Sequence, residues 1–353
     1  MLESKSYIAT PPGATIKEQL DDRGMTQKEF AKRMGMSEKH ISKLVNGDVH
    51  LTPETAEKLE RVLGVPARFW NKLEAIYQEK IAKVNSEKEL EKEKEYAKKF
   101  PYNQMAEWGL VPKVKRWQDK IENLCKYFEV SCLSLLENRD LMPIACRKLA
   151  NTEKSMYILL TLAQYAKREA RGIDVAPFHI SALKEKIKDI RALTLHKELD
   201  FQNELAAMLS SCGIALVYLP QLPGSFLHGI TFYDDASKKV VLGISMRGKY
   251  ADRFWFSLFH EIAHILKGHI RQKNGVSEQD EREADRLAAE ILIPTANLER
   301  FYQAGNYSID SIEDFASHLQ VGEDIVIGRL QNDKKIRQDQ LNQYKNKYES
   351  KVS

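Results

Sequence analysis

The sequence predicts a mainly α-helical protein with one small antiparallel β-sheet. Its parts are an N-terminal all-α helix-turn-helix domain, a helical middle region and a C-terminal α+β domain. Amphipathic helical patterns fill residues 15–77 and 103–195. Three short β-branched or aromatic runs follow, namely GIALVYL, LHGITFY and KVVLGIS, and turn-forming segments bound them as strands. Two longer helices are predicted after the strands, over residues 251–268 and 277–293.

The chain has 353 residues, which is too long for a single hydrophobic core and favours two or three domains. The alternating charges of EKIAKVNSEKELEKEKEYAKK are typical of a solvated helical connector. We therefore predict a helix-turn-helix domain over 11–77, a charged helical connector over 78–100, a helical region over 101–195, an α+β domain over 196–300 and a helical tail over 301–353.

Composition places the chain among globular proteins, with 43% hydrophobic and 29% charged residues. The net charge of +4 neither requires nor excludes a nucleic-acid partner. The first ten residues contain no secretory signal, and no apolar run approaches the ~18 residues that span a bilayer. The four cysteines are Cys125, Cys132, Cys146 and Cys212. Because they are sparse and form no CxxC pair, we expect reduced, mostly buried thiols and a cytoplasmic location. The lack of a long apolar run predicts no membrane partner.

The clearest chemical signal is HEIAH, in which His260 and His264 lie one turn apart on a predicted helix. At this spacing both imidazoles can reach one cation. Glu261 projects ~100° away, where it can hold a metal-bound water instead of the metal. These are the only polar side chains between Ser257 and Lys267, so the helix is buried. Burying them without a partner would cost several kcal/mol, which favours a metal over a chance match.

A zinc site of this kind needs a third protein ligand and an open position for water. The next helix, SEQDEREADRLAAEILIP, offers Glu281 and Glu283. At ~100° per residue, Glu281 lies on the edge of the apolar face beside Ala284 and Ala288, whereas Glu283 points away from its centre. We predict one Zn²⁺ per chain, for which Mn²⁺ could substitute, with Glu281 as the third ligand and Glu283 as the alternative.

Two nearby side chains have more than one interpretation. Asp285 lies four residues after Glu281 on nearly the same side of the helix. It could accept the free N–H of a liganding histidine as a second-shell residue, or it could form an ordinary ion pair. His269 follows the motif by five residues, and we expect it to be a surface histidine at the helix end.

The order of motifs over residues 203–294 resembles the ImmA/IrrE family of metallopeptidases. A strand run ends in His228-Gly229, an arginine and aromatics precede HEIAH, and E-x-E-A-D is followed by ILIP. The resemblance implies a zincin-like fold, both motif histidines and the glutamate of the EREAD segment as zinc ligands, and Glu261 as catalytic base. It also implies a helix-turn-helix repressor as protein substrate. His228 could help to position that substrate or could be a plain strand-end histidine.

A second signal, TQKEFAKRMGMSEKHISKLVNG over residues 26–47, predicts two short helices joined by a turn. Thr26 and Ser37 are the predicted N-caps. Gly35 suits a left-handed turn between the helices. The inward positions are Phe30, Ala31, Met34, Ile41 and Leu44. Together these positions favour a DNA-binding helix-turn-helix over a plain helical hairpin.

Polar and basic side chains occupy the outward side of this motif: Gln27, Ser37, Lys39, His40, Ser42, Lys43 and Asn46. Such side chains suit a helix laid in the major groove of double-stranded operator DNA. The motif resembles the Xre/Cro-type helix-turn-helix, and residues 11–77 resemble HigA-type antitoxins more closely. By that resemblance Gln27 contacts a phosphate, and Lys39, His40 and Lys43 contact bases or backbone. A homodimer is expected because such proteins often bind as two-fold dimers.

The leading interpretation is a transcriptional regulator with a zinc metallo-endopeptidase domain that cleaves a repressor-like protein or regulates the chain itself. The alternative is a non-enzymatic HigA-like antitoxin or repressor whose zinc domain senses a signal or binds a partner. Proteolysis of a toxin is a third interpretation. Glu261 favours an enzyme, since a purely structural zinc site would not require it.

Overall fold

The computed structural model describes residues 2–4, 6–137, 153–220, 227–246, 250–272 and 276–348. It divides into two compact units, Met1–Glu95 and Tyr96–Ser353. Within the described residues, none of the helices is long and apolar enough to cross a membrane. The cysteines differ from expectation. Cys212 is buried, but Cys125 and Cys132 are only partly buried, and Cys146 lies outside the described residues.

The first unit is helical apart from a two-residue antiparallel pair of strands, β1 (Leu2–Glu3) and β2 (Ile8–Ala9). Its helices are α1 (Pro12–Asp22), α2 (Gln27–Met34), α3 (Glu38–Asn46), α4 (Pro53–Leu63) and α5 (Ala67–Lys99), the last of which continues into the second unit. Phe30, Ile41, Leu59 and Trp70 are fully buried at the centre of its core.

The predicted helix-turn-helix caps are confirmed. The hydroxyl of Thr26 accepts a hydrogen bond from the backbone N–H of Glu29 at 3.2 Å, and the hydroxyl of Ser37 accepts one from His40 at 3.2 Å. Gly35 ends α2 in the left-handed region, with φ of 62°. That backbone conformation favours glycine, and it turns the chain sharply enough for α3 to pack on α2.

Besides several short 3-10 helices, the second unit contains ten α-helices within its described residues. They are α6 (Tyr102–Glu107), α7 (Trp117–Phe128), α8 (Glu153–Arg171), α9 (Ile180–Ala192), α10 (Gln202–Ser211), α11 (Ala251–Leu266), α12 (Glu278–Leu292), α13 (Thr295–Ala304), α14 (Ile309–Leu319) and α15 (Glu323–Asn332). Its strands are β3 (Ile214–Leu219), β4 (Gly229–Asp234) and β5 (Lys239–Ser245).

The three strands form a mixed sheet in the order β3-β5-β4, so the prediction of an antiparallel sheet is wrong for one of its two pairings. β4 and β5 form an antiparallel hairpin, with Gly229 opposite Ile244. β5 then lies between β4 and β3 and runs parallel to β3, with Ile214 opposite Val240. The pattern of the strands indicates their existence, but strand order depends on the crossover after β3, which the pattern does not encode.

Helix α11 lies at the centre of the second unit, where Trp255, Leu258 and Phe259 are fully buried. Its N-terminal half is held by residues that follow α15. The Lys345 ammonium lies 2.6 Å from the Asp252 carboxylate, and the Trp255 indole N–H donates to the Tyr348 hydroxyl at 2.8 Å. The C-terminal segment therefore belongs to the core that supports α11.

Candidate metal centre and nucleic-acid interface

Helices α11 and α12 bring three of the predicted site residues together. The Nε2 atoms of His260 and His264 lie 3.0 Å apart. The Glu281 carboxylate lies 3.2 Å from His260 Nε2 and 3.7 Å from His264 Nε2. Glu283 lies outside this group, and its carboxylate is 4.0 Å from the Nε2 atom of His269 instead. Of the two candidate glutamates, Glu281 is therefore the one beside the motif histidines.

This donor set fits a zinc ion. Around a tetrahedral zinc with ligand bonds of ~2.0–2.2 Å, neighbouring donor atoms lie about 3.3 Å apart. The single donor atoms offered by His260, His264 and Glu281 all lie within 4.8 Å of one another. Two imidazole nitrogens and one carboxylate oxygen are also the ligand types that zinc prefers when its fourth position stays open.

His260 is oriented by carboxylates on both ring nitrogens. Its Nδ1 lies 2.8 Å from Asp285 Oδ1, while Nε2 faces Glu281. Burial lowers the pKa of His260, but its hydrogen bonds with Asp285 and Glu281 have the larger, opposite effect. Together they raise that pKa to about 10. Burial raises the pKa of Glu281, but hydrogen bonds from both motif histidines lower it to about 2. The cluster therefore favours a positive charge, whether a proton or a metal cation.

His264 is oriented by a second histidine. Its Nδ1 lies 3.0 Å from Nδ1 of His269, whose Nε2 faces Asp280 Oδ1 at 3.4 Å. The other oxygen of Asp280 accepts hydrogen bonds from the backbone and hydroxyl of Ser277, the N-cap of α12. The expectation that His269 is a surface residue is wrong, since it is 3% exposed. Gly268, with φ of 75°, turns the chain so that His269 lies against His264.

Glu261 is buried beside the histidines, and burial raises the pKa of its carboxyl. Thr231, on β4, donates a hydrogen bond from its hydroxyl to Glu261 Oε2 at 2.6 Å. Gly229 permits this approach of strand to helix, because a Cβ there would lie 2.5 Å from Glu261 Cγ. Neither residue was singled out for this role in the sequence, because contact between a strand and a later helix has no local pattern.

A cavity of about 280 Å³ lies over these groups. Its lining includes His260, Glu261, His264 and Glu281, and His228 and Asp285 also border it. The metal-ligand candidates and Glu261 therefore border a cavity that a ligand can occupy, with walls from β4, α11 and α12.

The predicted DNA-contacting residues all lie exposed on the first unit: Gln27, Ser37, Lys39, His40, Ser42, Lys43 and Asn46. Gln27 begins α2, Ser37 caps α3, and the others lie on α3. The opposite side of α3 is buried through Ile41, Leu44 and Val45. The outward face of the second helix is therefore polar and available to a ligand.

Comparison with known proteins identifies both parts of the chain. Residues 16–70 match the family described as helix-turn-helix. The "Uncharacterized HTH-type transcriptional regulator YddM" of Escherichia coli strain K12 is 38% identical over 63 residues, which is 18% of this chain and 67% of that protein. The chain belongs to the helix-turn-helix family of transcriptional regulators. This regulator also carries an IrrE N-terminal-like domain, matched over residues 225–331.

One solved structure is similar to part of this chain. It is an addiction module antidote protein of a HigA family from Coxiella burnetii, with 28% identity. The similarity covers 24% of this chain and 92% of that chain, at a TM-score of 0.22. The IrrE N-terminal-like match contains the whole cluster of His260, Glu261, His264 and Glu281, together with α13 and α14.

Proposed function

We propose that this regulator is a zinc-dependent endopeptidase of the HExxH type, which cleaves a repressor-like protein or regulates the chain itself by peptide-bond hydrolysis. One observation carries the proposal. Glu261 is buried next to His260, His264 and Glu281 without belonging to the three donors that converge. A site that only stored or sensed zinc would gain nothing from a buried carboxylate beside its three ligands, because desolvation of that carboxylate is unfavourable.

Each residue has a defined part in this proposal. His260, His264 and Glu281 would hold zinc, which would supply Lewis-acid chemistry for peptide-bond hydrolysis. Because Glu261 Oε2 accepts the Thr231 hydrogen bond, Oε1 is the oxygen left to take a proton from that water. Glu261 then delivers the proton to the leaving amine.

The remaining side chains orient these groups. Asp285 accepts the Nδ1 proton of His260, and His269 accepts that of His264. Both contacts leave Nε2 free for the metal, which is the usual arrangement around a histidine ligand. Thr231 fixes the carboxylate of Glu261 against the strand.

The first unit supports the regulatory half of the proposal. The α2–α3 motif would place α3 in the major groove of double-stranded operator DNA, with Lys39, His40 and Lys43 at bases or backbone and Gln27 at a phosphate. We infer a homodimer on the operator, since two-fold symmetric sites are the common partners of this motif.

The experiment that tests the peptidase uses Glu261→Gln in the full chain. This substitution removes the base, retains nearly the same volume and leaves the three ligands intact. We expect about one zinc per chain by elemental analysis and no cleavage of candidate repressors or of the chain itself. Glu299→Gln, at an exposed glutamate of α13, is the matched control and should cleave normally. Regulation in cells that is unchanged by Glu261→Gln would favour a non-enzymatic sensor or antitoxin.

A further inference from the structure

A second cavity, of about 640 Å³, adjoins the cavity over the metal ligands. The two share His228, Phe256, Ser257 and Asp285 as lining residues. The larger cavity follows the groove between α11 and α12 and is bordered on its far side by α15. A peptide bound at the metal ligands can therefore continue along the same groove into this second cavity.

Helical geometry gives the distance along α11 between the metal ligand His260 and Arg253, which lines the larger cavity. Arg253 precedes His260 by two turns on α11 and lies on nearly the same face. The separation is roughly 10 Å at a rise of ~1.5 Å per residue. An extended peptide advances about 3.3 Å per residue. The larger cavity thus receives a side chain two or three residues away from the bond held at the metal ligands.

Two guanidinium groups line this cavity without a carboxylate partner. Arg253 and Arg286 are both exposed, and within the part of the chain that the structure describes neither forms an ion pair. Arg253 lies over the ring of Tyr250 at 5.9 Å from its centroid. Arg286 uses Nε to donate to the backbone carbonyl of Arg282 at 3.2 Å. The remaining N–H groups of both can serve a bound anion.

The other ionised groups of the cavity wall already have partners. These pairs are Asp285 with His260 at 2.8 Å, Asp252 with Lys345 at 2.6 Å, and Arg329 with Asp333 at 2.7 Å. Once these pairs are counted, the charge left over in the cavity is positive. Leu292, Ile293 and Ile325 add an apolar surface deeper in the wall, against which the methylene stem of a side chain can pack.

We propose that this cavity is the substrate subsite for an acidic side chain, glutamate or aspartate, two or three residues from the cleaved bond. The proposal rests on the proposed peptidase function. Arg253 and Arg286 would bind the carboxylate from the two helices that also carry the metal ligands, so that recognition of the acidic residue fixes the peptide along the groove.

Cleavage of a mixed peptide library by the zinc-loaded full chain tests the subsite, with the cut positions identified by mass spectrometry. We expect acidic residues to be enriched roughly tenfold at the second or third position on one side of the cut. Arg253→Glu and Arg286→Glu should abolish this enrichment or replace it with lysine and arginine. Arg282→Glu, at an exposed arginine on α12 outside the cavity, should leave it unchanged. Cleavage without acidic enrichment in the unmodified chain would overturn the proposal.

A binding measurement keeps the subsite testable should no peptide be cut. Two fluorescent peptide pools that differ only in glutamate or lysine content are titrated onto the zinc-loaded Glu261→Gln variant. The glutamate pool should bind roughly tenfold more tightly, and Arg286→Glu in the same background should remove the difference. Absence of cleavage with preserved glutamate preference would contradict the peptidase but support the subsite. Equal binding of the two pools would refute the subsite.

Discussion

The Nδ1 atoms of His264 and His269 lie 3.0 Å apart in a buried contact between two imidazoles. To offer Nε2 to a metal, His264 must carry its proton on Nδ1, and His269 then accepts that proton and donates from Nε2 toward Asp280. Burial and the neighbouring His264 lower the pKa of His269, which is consistent with a neutral acceptor. The contact fixes one tautomer of His264.

We predict that His269→Leu weakens zinc binding ten- to hundredfold, the usual effect of removing a group that orients a metal ligand. His269→Asn should retain most of the affinity, since its amide oxygen can occupy the position of Nδ1. Competition with a chromophoric chelator measures both. His318→Leu, at an exposed histidine of α14, is the control. Equal affinities for the leucine and asparagine variants would argue against an orienting hydrogen bond.

The third ligand can be identified by a pair of isosteric substitutions. Glu281→Gln should lower zinc content well below one per chain, because the carboxylate next to both imidazoles loses its charge. Glu283→Gln should keep about one zinc per chain, since its carboxylate lies beside His269 and not beside the two motif histidines. Elemental analysis after dialysis provides the measurement. Zinc loss in the Glu283 variant alone would reverse the assignment.

The DNA face is tested by its salt dependence. Lys39 and Lys43 lie one turn apart on the exposed side of α3, so Lys39→Ala with Lys43→Ala should weaken operator binding. The slope of log K against log salt should fall by about 2, since roughly one counterion is released per phosphate contact. Lys17→Ala with Lys72→Ala, at exposed lysines of α1 and α5, is the matched control. An unchanged slope would exclude α3 as the DNA-contacting helix.

A buried carboxylate remote from the metal ligands makes stability depend on pH. Burial, with a contribution from the charge of Asp252, raises the pKa of Asp324 to about 7. The folded chain therefore holds a proton that the unfolded chain loses near pH 4, and stability falls as pH rises from ~4 through ~7. Asp324→Asn should remove roughly 2–4 kcal/mol of this pH-dependent decrease in the free energy of unfolding.

Thermal unfolding of the Asp324→Asn variant and the unmodified chain at pH 5 and pH 8 measures this effect. The variant should gain stability relative to the unmodified chain at pH 8 and much less at pH 5. Asp314→Asn, at an exposed carboxylate of α14, should show no such pH-dependent gain. The same difference between variant and unmodified chain at both pH values would mean that Asp324 does not titrate between them.

The sequence predicted those features that depend on helical periodicity. The caps at Thr26 and Ser37, the convergence of both motif histidines with Glu281, and the place of Asp285 beside His260 all follow from spacings of three or four residues. Features that depend on where the chain turns do not follow from these spacings. His269 follows a left-handed glycine, and only the direction of that turn places its imidazole against His264.

The same limit explains the sheet and the support of Glu261. Alternation within each run indicates a strand but does not give its neighbours, so the parallel pairing of β3 with β5 was not predicted. Thr231 and Gly229 reach Glu261 only because β4 is the strand next to α11. Their roles depend on strand order and could not be derived from local spacing.

The match to the IrrE N-terminal-like domain ends at residue 331. Lys345 and Tyr348, which lie beyond it, nevertheless contact α11. A recombinant fragment trimmed to the match would remove the cation beside Asp252 and the acceptor of the Trp255 indole N–H. Each polar group left unsatisfied in the interior costs about 1–3 kcal/mol. Both losses fall on the helix that carries His260 and His264. A fragment that keeps these two contacts with α11 must therefore extend to residue 348, 17 residues beyond the match at 331.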